Sequence, residues 1–121
     1  MHIDQILLVE NHGVVISSIT RCIKSVLGDH VIVLVAKTLS EAEHMYRDHF
    51  ETIKVILLDT RLDNDETTFN LARHISMHFK GPIVSISTNE AFRKKMMSHG
   101  CTEAWEKHEI LKFLEDLKNR S

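Results

Sequence analysis

Glycine and proline are scarce in this 121-residue chain, with four of the first and one of the second, and no linker or low-complexity tract appears. Neither G-x-G-x-x-G nor G-x-x-x-x-G-K-[ST] occurs, so no glycine-rich loop is available to cradle the phosphates of a dinucleotide or a nucleoside triphosphate. The G-x-S-x-G elbow of a serine hydrolase is missing as well. Cysteine is limited to Cys22 and Cys101, which form neither a ligand spacing nor a disulfide framework. No apolar run is long enough to span a bilayer or act as a secretion signal, so a cytoplasmic protein with no membrane partner is expected. An excess of one charge sign is also lacking. Fifteen basic against 17 acidic residues leave a formal charge of −2, which excludes the broad positive footprint of a nucleic-acid binder.

What the chain does have is regular alternation. Apolar runs rich in Val, Ile and Leu fall at Ile6–Val9, Val31–Val35, Val55–Leu58 and Ile83–Ile86, with a weaker one around Ala104 and Trp105. Their near-continuous hydrophobicity is that of parallel strands covered on both faces. Between them lie helical periods: Ile16, Ile19, Ile23, Val26 and Leu27; Leu39, Ala42, Tyr46 and Phe50; Leu71, Ala72, Ile75 and Phe79; Phe92 and Met96; and Ile110, Phe113, Leu114 and Leu117. Thr38 with Glu41 forms a capping box for the second helix, and Gly81-Pro82 stops the third. The length fits one domain over residues 1–121. Strict β-α alternation implies one parallel sheet with helices on both faces.

In such a sheet all strands deliver their C-terminal ends to one edge, where ligands bind. The first strand ends in Glu10 and Asn11, the third in Asp59, the fourth in Ser87 and Thr88, and the fifth runs into Lys107. Four distant segments therefore bring acids, hydroxyls and an ammonium together. With "LLVEN", "VILLDT", "PIVSIST" and "GCTEAWEK" in this order and spacing, essentially the whole chain resembles the receiver domain of two-component response regulators.

The resemblance implies a flavodoxin-like three-layer α/β sandwich, with five parallel strands in the order 2-1-3-4-5 and five helices. It implies a signalling module rather than an enzyme, with Asp59 as phosphoacceptor from a phosphohistidine on a sensor histidine kinase or histidine phosphotransfer protein. Ser87 and Lys107 would hold the phosphoryl group, while Glu10, Asn11, Asp59 and the backbone carbonyl of Arg61 would hold Mg²⁺. A downstream protein would read the face of helix four, strand five and helix five, and homodimer formation is left open. The chemistry fits, because a carboxylate attacking an anionic donor needs a divalent ion, an ammonium and a hydroxyl to steady the transferred group. With nothing beyond the fifth helix, the chain reads either as a stand-alone receiver or as the receiver portion of a longer protein.

Several positions depart from the family pattern. Asn11 replaces an acid. A unit charge ~4 Å from another is worth about 4 kcal/mol at an effective dielectric of ~20; roughly 1–3 kcal/mol surviving desolvation means about ten- to a hundredfold weaker metal binding. Weak Mg²⁺ affinity is therefore expected. Asp63 and Thr67 stand where the family has a proline and a glycine, within the overlong acidic loop 61–68. His108 follows Lys107 in place of proline, which predicts a trans bond and a differently directed Lys107. Ala104 occupies the switch-aromatic position, so any signal needs another route out. These losses favour the alternative reading, a degenerate pseudo-receiver that serves as a phosphorylation-independent interaction or dimerisation module.

The remaining features read blandly. His74 and His78 have zinc-gripping i, i+4 spacing but lack a third partner, and "RKKMM" at 93–97 reads as an exposed basic helix face over a methionine core contact. Cys101 reads as a small buried hydrophobe. A dehalogenase-like phosphatase would carry a second Asp two residues after Asp59, where Arg61 stands.

Overall fold

A computed structural model describes residues 2–120. Five strands, β1 (Gln5–Val9), β2 (Ile32–Ala36), β3 (Ile53–Leu58), β4 (Ile83–Ile86) and β5 (Glu103–Trp105), form one parallel sheet in the order β2-β1-β3-β4-β5. They alternate with α1 (Gly13–Leu27), α2 (Leu39–His49), α3 (Phe69–Ser76), α4 (Glu90–Ser98) and α5 (Ile110–Lys118). The fold class and strand order are those expected from the sequence.

Strand side chains point alternately to opposite faces, so each apolar run feeds two cores. Leu7, Val9, Ile56 and Leu58 pack with Ala42 and Tyr46 of α2, Ala72 and Ile75 of α3 and Met96 of α4. Ile6, Leu8, Val55 and Leu57 pack on the other side with Ile19 and Ile23 of α1 and Phe113, Leu114 and Leu117 of α5. Both faces of β1 and β3 are thus sealed. The edge strand β2 differs: Ile32 is 52% exposed and Val33, Leu34 and Val35 are half-buried. Its continuous hydrophobicity overstates its cover, because an edge strand has a neighbour on one side only.

Local chemistry sets most boundaries. Thr38 accepts from the Glu41 N–H at 3.1 Å, while the Glu41 carboxylate reaches the Lys37 N–H at 2.8 Å, one residue earlier than in a strict capping box. The third helix is shorter than its apolar period suggested. It ends at Ser76, and Phe79 lies in the following turn, where its N–H still donates to the Ile75 carbonyl at 2.8 Å. The loop 61–68 is closed rather than loose: Arg61 and Thr67 form an antiparallel bridge, Leu62 is buried, and Asp63–Asp65 make a 3₁₀ turn.

The C-terminal end of α5 is pinned to β5. Arg120 makes a two-pronged ion pair with Glu103, at 2.7 Å through one nitrogen, and a second ion pair with Asp116, also at 2.7 Å. Arg120→Ala should lower the free energy of unfolding by about 1–2 kcal/mol, a partly exposed, charge-assisted pair being worth that much. Urea denaturation at pH 7 checks this, and Arg120→Lys should recover less than half because an ammonium lacks the planar fork. An unchanged midpoint in Arg120→Ala would show that α5 is seated by Phe113, Leu114 and Leu117 alone.

Candidate functional site

The sheet ladder continues past the strand ends and places the two candidate acids side by side. The Asp59 N–H donates to the Val9 carbonyl at 2.9 Å, and the Glu10 N–H donates to the Ala36 carbonyl at 3.0 Å. Asp59 therefore lies beside the last residue of β1 with Glu10 next along the chain. β5 lies two strands from β3, roughly 10 Å. The 3₁₀ turn Lys107–Glu109 and the lysine stem bridge that gap. A capping box between Glu106 and Glu109 fixes the turn.

Lys107 Nζ sits 3.1 Å from Glu10 Oε1 and 3.3 Å from Asp59 Oδ1. The Lys107–His108 bond is trans, as expected, since no described peptide bond is cis. Lys107 nonetheless points squarely between the two acids. The capped turn and the paired carboxylates hold the side chain in place.

Glu10 is only 1% exposed and its carboxylate is saturated. Oε1 meets Lys107, while Oε2 accepts from the N–H groups of Asn11 at 3.1 Å and His12 at 3.2 Å, at the mouth of α1. A buried carboxylate needs such partners, and the positive end of α1 adds to them. Asp59 Oδ1 also accepts from the Thr60 N–H at 3.0 Å, and its own carbonyl accepts from Thr68 Oγ1 at 2.8 Å. Burial first, and then the neighbouring Glu10 charge, push the Asp59 carboxyl up to about 6 against the downward pull of Lys107. Burial acts to lower the Lys107 pKa, but Asp59 and Glu10 more than offset it and raise the pKa above its usual value.

Ser87 closes the far side. Its hydroxyl accepts from the Asn89 N–H at 3.1 Å, its N–H donates to the Trp105 carbonyl at 3.2 Å, and its carbonyl accepts from Arg93 Nη1 at 2.7 Å. Asn11, Asp59, Arg61, Asp63, Ser87 and Lys107 all line one open cleft of about 400 Å³. Glu10 lies beneath it. The expected site residues are thus brought together at the C-terminal edge, with Arg61 contributing from a built turn rather than a free loop.

Two carboxylates, an amide and a main-chain carbonyl are a donor array that suits Mg²⁺, which binds through one or two carboxylates and keeps several waters. Among the described residues no group of three or more His, Cys, Asp or Glu side chains converges to hold a metal. His74 and His78 face each other with ring centroids 5.9 Å apart in a groove near Tyr46 and Phe50, with no third ligand of that kind. Cys101 is buried, and burial pushes its thiol up to about 12.

One residue departs from the pattern its neighbours suggest. Arg93, taken as part of an exposed basic face, is only 18% exposed and turns inward to the Ser87 carbonyl and to Glu106, 3.7 Å away. Its spacing was the available signal, because Arg93 lies three residues before the fully buried Met96 and so shares its face.

No protein-family sequence profile matches the chain, and no curated protein sequence matches it. Solved structures do. The receiver domain of NtrX from Brucella abortus superposes with a TM-score of 0.76 at 16% identity, covering 96% of this chain and 99% of that one. A response-regulator signal receiver domain from Bermanella marisrubri gives 0.75 at 20% identity over 97% and 99%. A response regulator solved in its Mn²⁺-bound form gives 0.74 at 17% identity over 95% and 91%. The chain has the receiver-domain fold. At these identities the likeness is one of architecture, and in the receiver fold the C-terminal strand edge is where this cleft lies.

The raised Asp59 carboxyl has a signed consequence for stability. Its folded value of about 6 lies above the ordinary 3.8, so the folded state holds the proton more tightly. The associated stability is present below about pH 4, declines as pH rises, and is gone above about pH 6. Two pH units correspond to about 2.7 kcal/mol, which partial solvent access trims to roughly 1–2 kcal/mol. In chelator-treated buffer, wild type should lose that amount relative to Asp59→Asn between pH 4 and pH 7, read as the difference between their urea denaturation curves. Parallel pH profiles would show that Asp59 is not strained by its neighbours.

Proposed function

We propose that this chain is a cytoplasmic receiver in two-component or phosphorelay signalling, accepting a phosphoryl group on Asp59 from a sensor histidine kinase or histidine phosphotransfer protein. The observation that carries the reading is the single ammonium of Lys107 held between Glu10 and Asp59 at the C-terminal edge of the sheet. Asp59 is the carboxylate of the pair that faces the cleft; Glu10 is buried and tied by its own main chain.

In the proposed step an Asp59 carboxylate oxygen attacks the phosphorus of a phosphohistidine. The P–N bond breaks, its electron pair and a proton go to the imidazole, and an acyl phosphate forms on Asp59. Lys107 is within reach to leave Glu10 and pair with a phosphoryl oxygen, and the Ser87 hydroxyl, which accepts from the Asn89 N–H, can donate its own proton to another. Glu10, Asn11, Asp59 and the Arg61 carbonyl would hold Mg²⁺, which when bound supplies charge neutralisation for the transferred group. The phosphoryl group adds up to about two negative charges to a small site, enough to bias the loop carrying Ser87. The signal then passes to a protein partner, with the face of α4, β5 and α5 as the proposed reading surface.

Asn11 and Ala104 favour a second reading, the degenerate pseudo-receiver that binds partners or a second copy without phosphate. The two are separated by titrating Mg²⁺ and then a small phosphoryl donor or beryllofluoride, following Trp105 fluorescence and the intact mass. The receiver reading expects a weak, saturable metal response and a phosphoprotein that disappears in Asp59→Asn. No response at tens of millimolar metal and no mass gain would leave the interaction module. Asn11→Asp should tighten Mg²⁺ binding about ten- to a hundredfold, the share of a nearby unit charge that survives desolvation. Unchanged affinity in that variant would remove Asn11 as the cause of weak binding.

A further inference from the structure

If Asp59 is the phosphoacceptor, the event there must reach a surface, and the residue that usually carries it in this family is Ala104, which has nothing beyond Cβ to move. The connections made by Ser87 show what is available instead. Its N–H is bound to the main chain of β5 at Trp105, and two further links run to α4. One is the hydroxyl, which accepts from the N–H of Asn89, the residue whose side chain caps α4 by accepting from the Phe92 N–H at 3.0 Å. The other is the carbonyl, which accepts from Arg93 Nη1 at 2.7 Å.

These two links behave differently when the site fills. A hydroxyl drawn bodily toward a phosphoryl oxygen moves off the position where it accepts from the Asn89 N–H, so that link is weakened at the moment of signalling. The carbonyl link is independent of the hydroxyl and survives. Arg93 suits the task because its guanidinium is a rigid, charged fork with several donors in one plane. One nitrogen holds Ser87 while another lies 3.7 Å from Glu106 Oε1, on the residue that precedes Lys107 and forms the capping box of the turn. With its side chain only 18% exposed, Arg93 holds the Ser87 carbonyl more firmly than an exposed arginine would.

We propose that Arg93 is a positioning residue that couples Ser87 to the seating of α4, and thereby carries the state of Asp59 to the surface in place of the aromatic absent at Ala104. This inference rests on the receiver reading. Arg93 touches neither the phosphoacceptor nor the metal donors, so occupancy of the pocket and transmission from it are separable.

The test uses beryllofluoride with Mg²⁺ on the full chain, reading occupancy by fluorine NMR and the seating of α4 by amide hydrogen exchange over Lys94 to Ser98. In wild type, occupancy should change exchange in α4 on the order of tenfold, the effect on a local opening equilibrium of shifting Ser87 by about one hydrogen bond's worth while Arg93 stays attached to it. In Arg93→Met, a bound fluorine signal should persist while the α4 change falls below about twofold, and Arg93→Lys, with one point charge in place of a fork, should lie between. A merely structural Arg93 would shift exchange equally with and without ligand and leave the ligand-induced change intact, which would overturn the proposal. If Arg93→Met fails to fold by circular dichroism, Arg93→Gln carries the same comparison. Absence of a bound signal in wild type would instead remove the receiver reading, and this inference with it.

Discussion

Everything at the strand edge depends on one ammonium between two carboxylates. Parallel pairing of β1 with β3 forces Glu10 and Asp59 to be neighbours, and neither can move away without disturbing the ladder that continues through the Asp59 and Glu10 N–H groups. Two like charges in a half-buried site repel, and burial penalises each of them. Lys107 answers both demands at 3.1 and 3.3 Å. The rest of the edge then follows: the 3₁₀ turn and its Glu106–Glu109 box exist where Lys107 must be aimed, and the mouth of α1 supplies the N–H groups that complete Glu10.

The two acids are consequently not equivalent. Glu10 has every oxygen engaged and is shielded, which makes it a fixed charge. Asp59 is held through one oxygen by Lys107 and the Thr60 N–H and lines the open cleft. An upward-shifted carboxyl beside a fixed negative charge is a destabilised anion, and a group that replaces or neutralises that charge relieves it. The geometry therefore separates a buried acid anchored by its own main chain from one that lines the cleft, even though the sequence presents both as an acid after an apolar run.

That separation marks where sequence reasoning ran out. The sheet and the shared edge of Glu10, Asn11, Asp59, Ser87 and Lys107 were legible because strands covered on both faces leave unmistakable apolar runs and deliver their ends to one edge, while the strand order came from the resemblance to receivers. Phe79 was assigned to the third helix because an apolar period does not record where the backbone leaves the helical path. The half-exposed β2 looked like a buried strand because continuous hydrophobicity does not distinguish a central strand from an edge. Arg93 was hidden by its neighbours in "RKKMM": composition suggested an exposed face, which Lys94 and Lys95 fit, whereas Arg93 turns inward. Likewise the capped turn that directs Lys107 depends on Glu106 and Glu109, whose pairing needs a 3₁₀ geometry that no apolar pattern announces.

Asn11 gains its meaning from this charge balance. With an acid at position 11, three carboxylates would face one ammonium, and the unfilled pocket would carry an excess of negative charge that a divalent ion relieves. With Asn11, two carboxylates face Lys107 and the positive end of α1, so the pocket approaches balance from the protein's own groups. On the proposed reading, the missing charge that brings the metal-free pocket nearer balance would also weaken its attraction for a metal. Stability of the empty site and affinity of a filled one would then be opposed by electrostatics, with Lys107, between Glu10 and Asp59, the cation common to both.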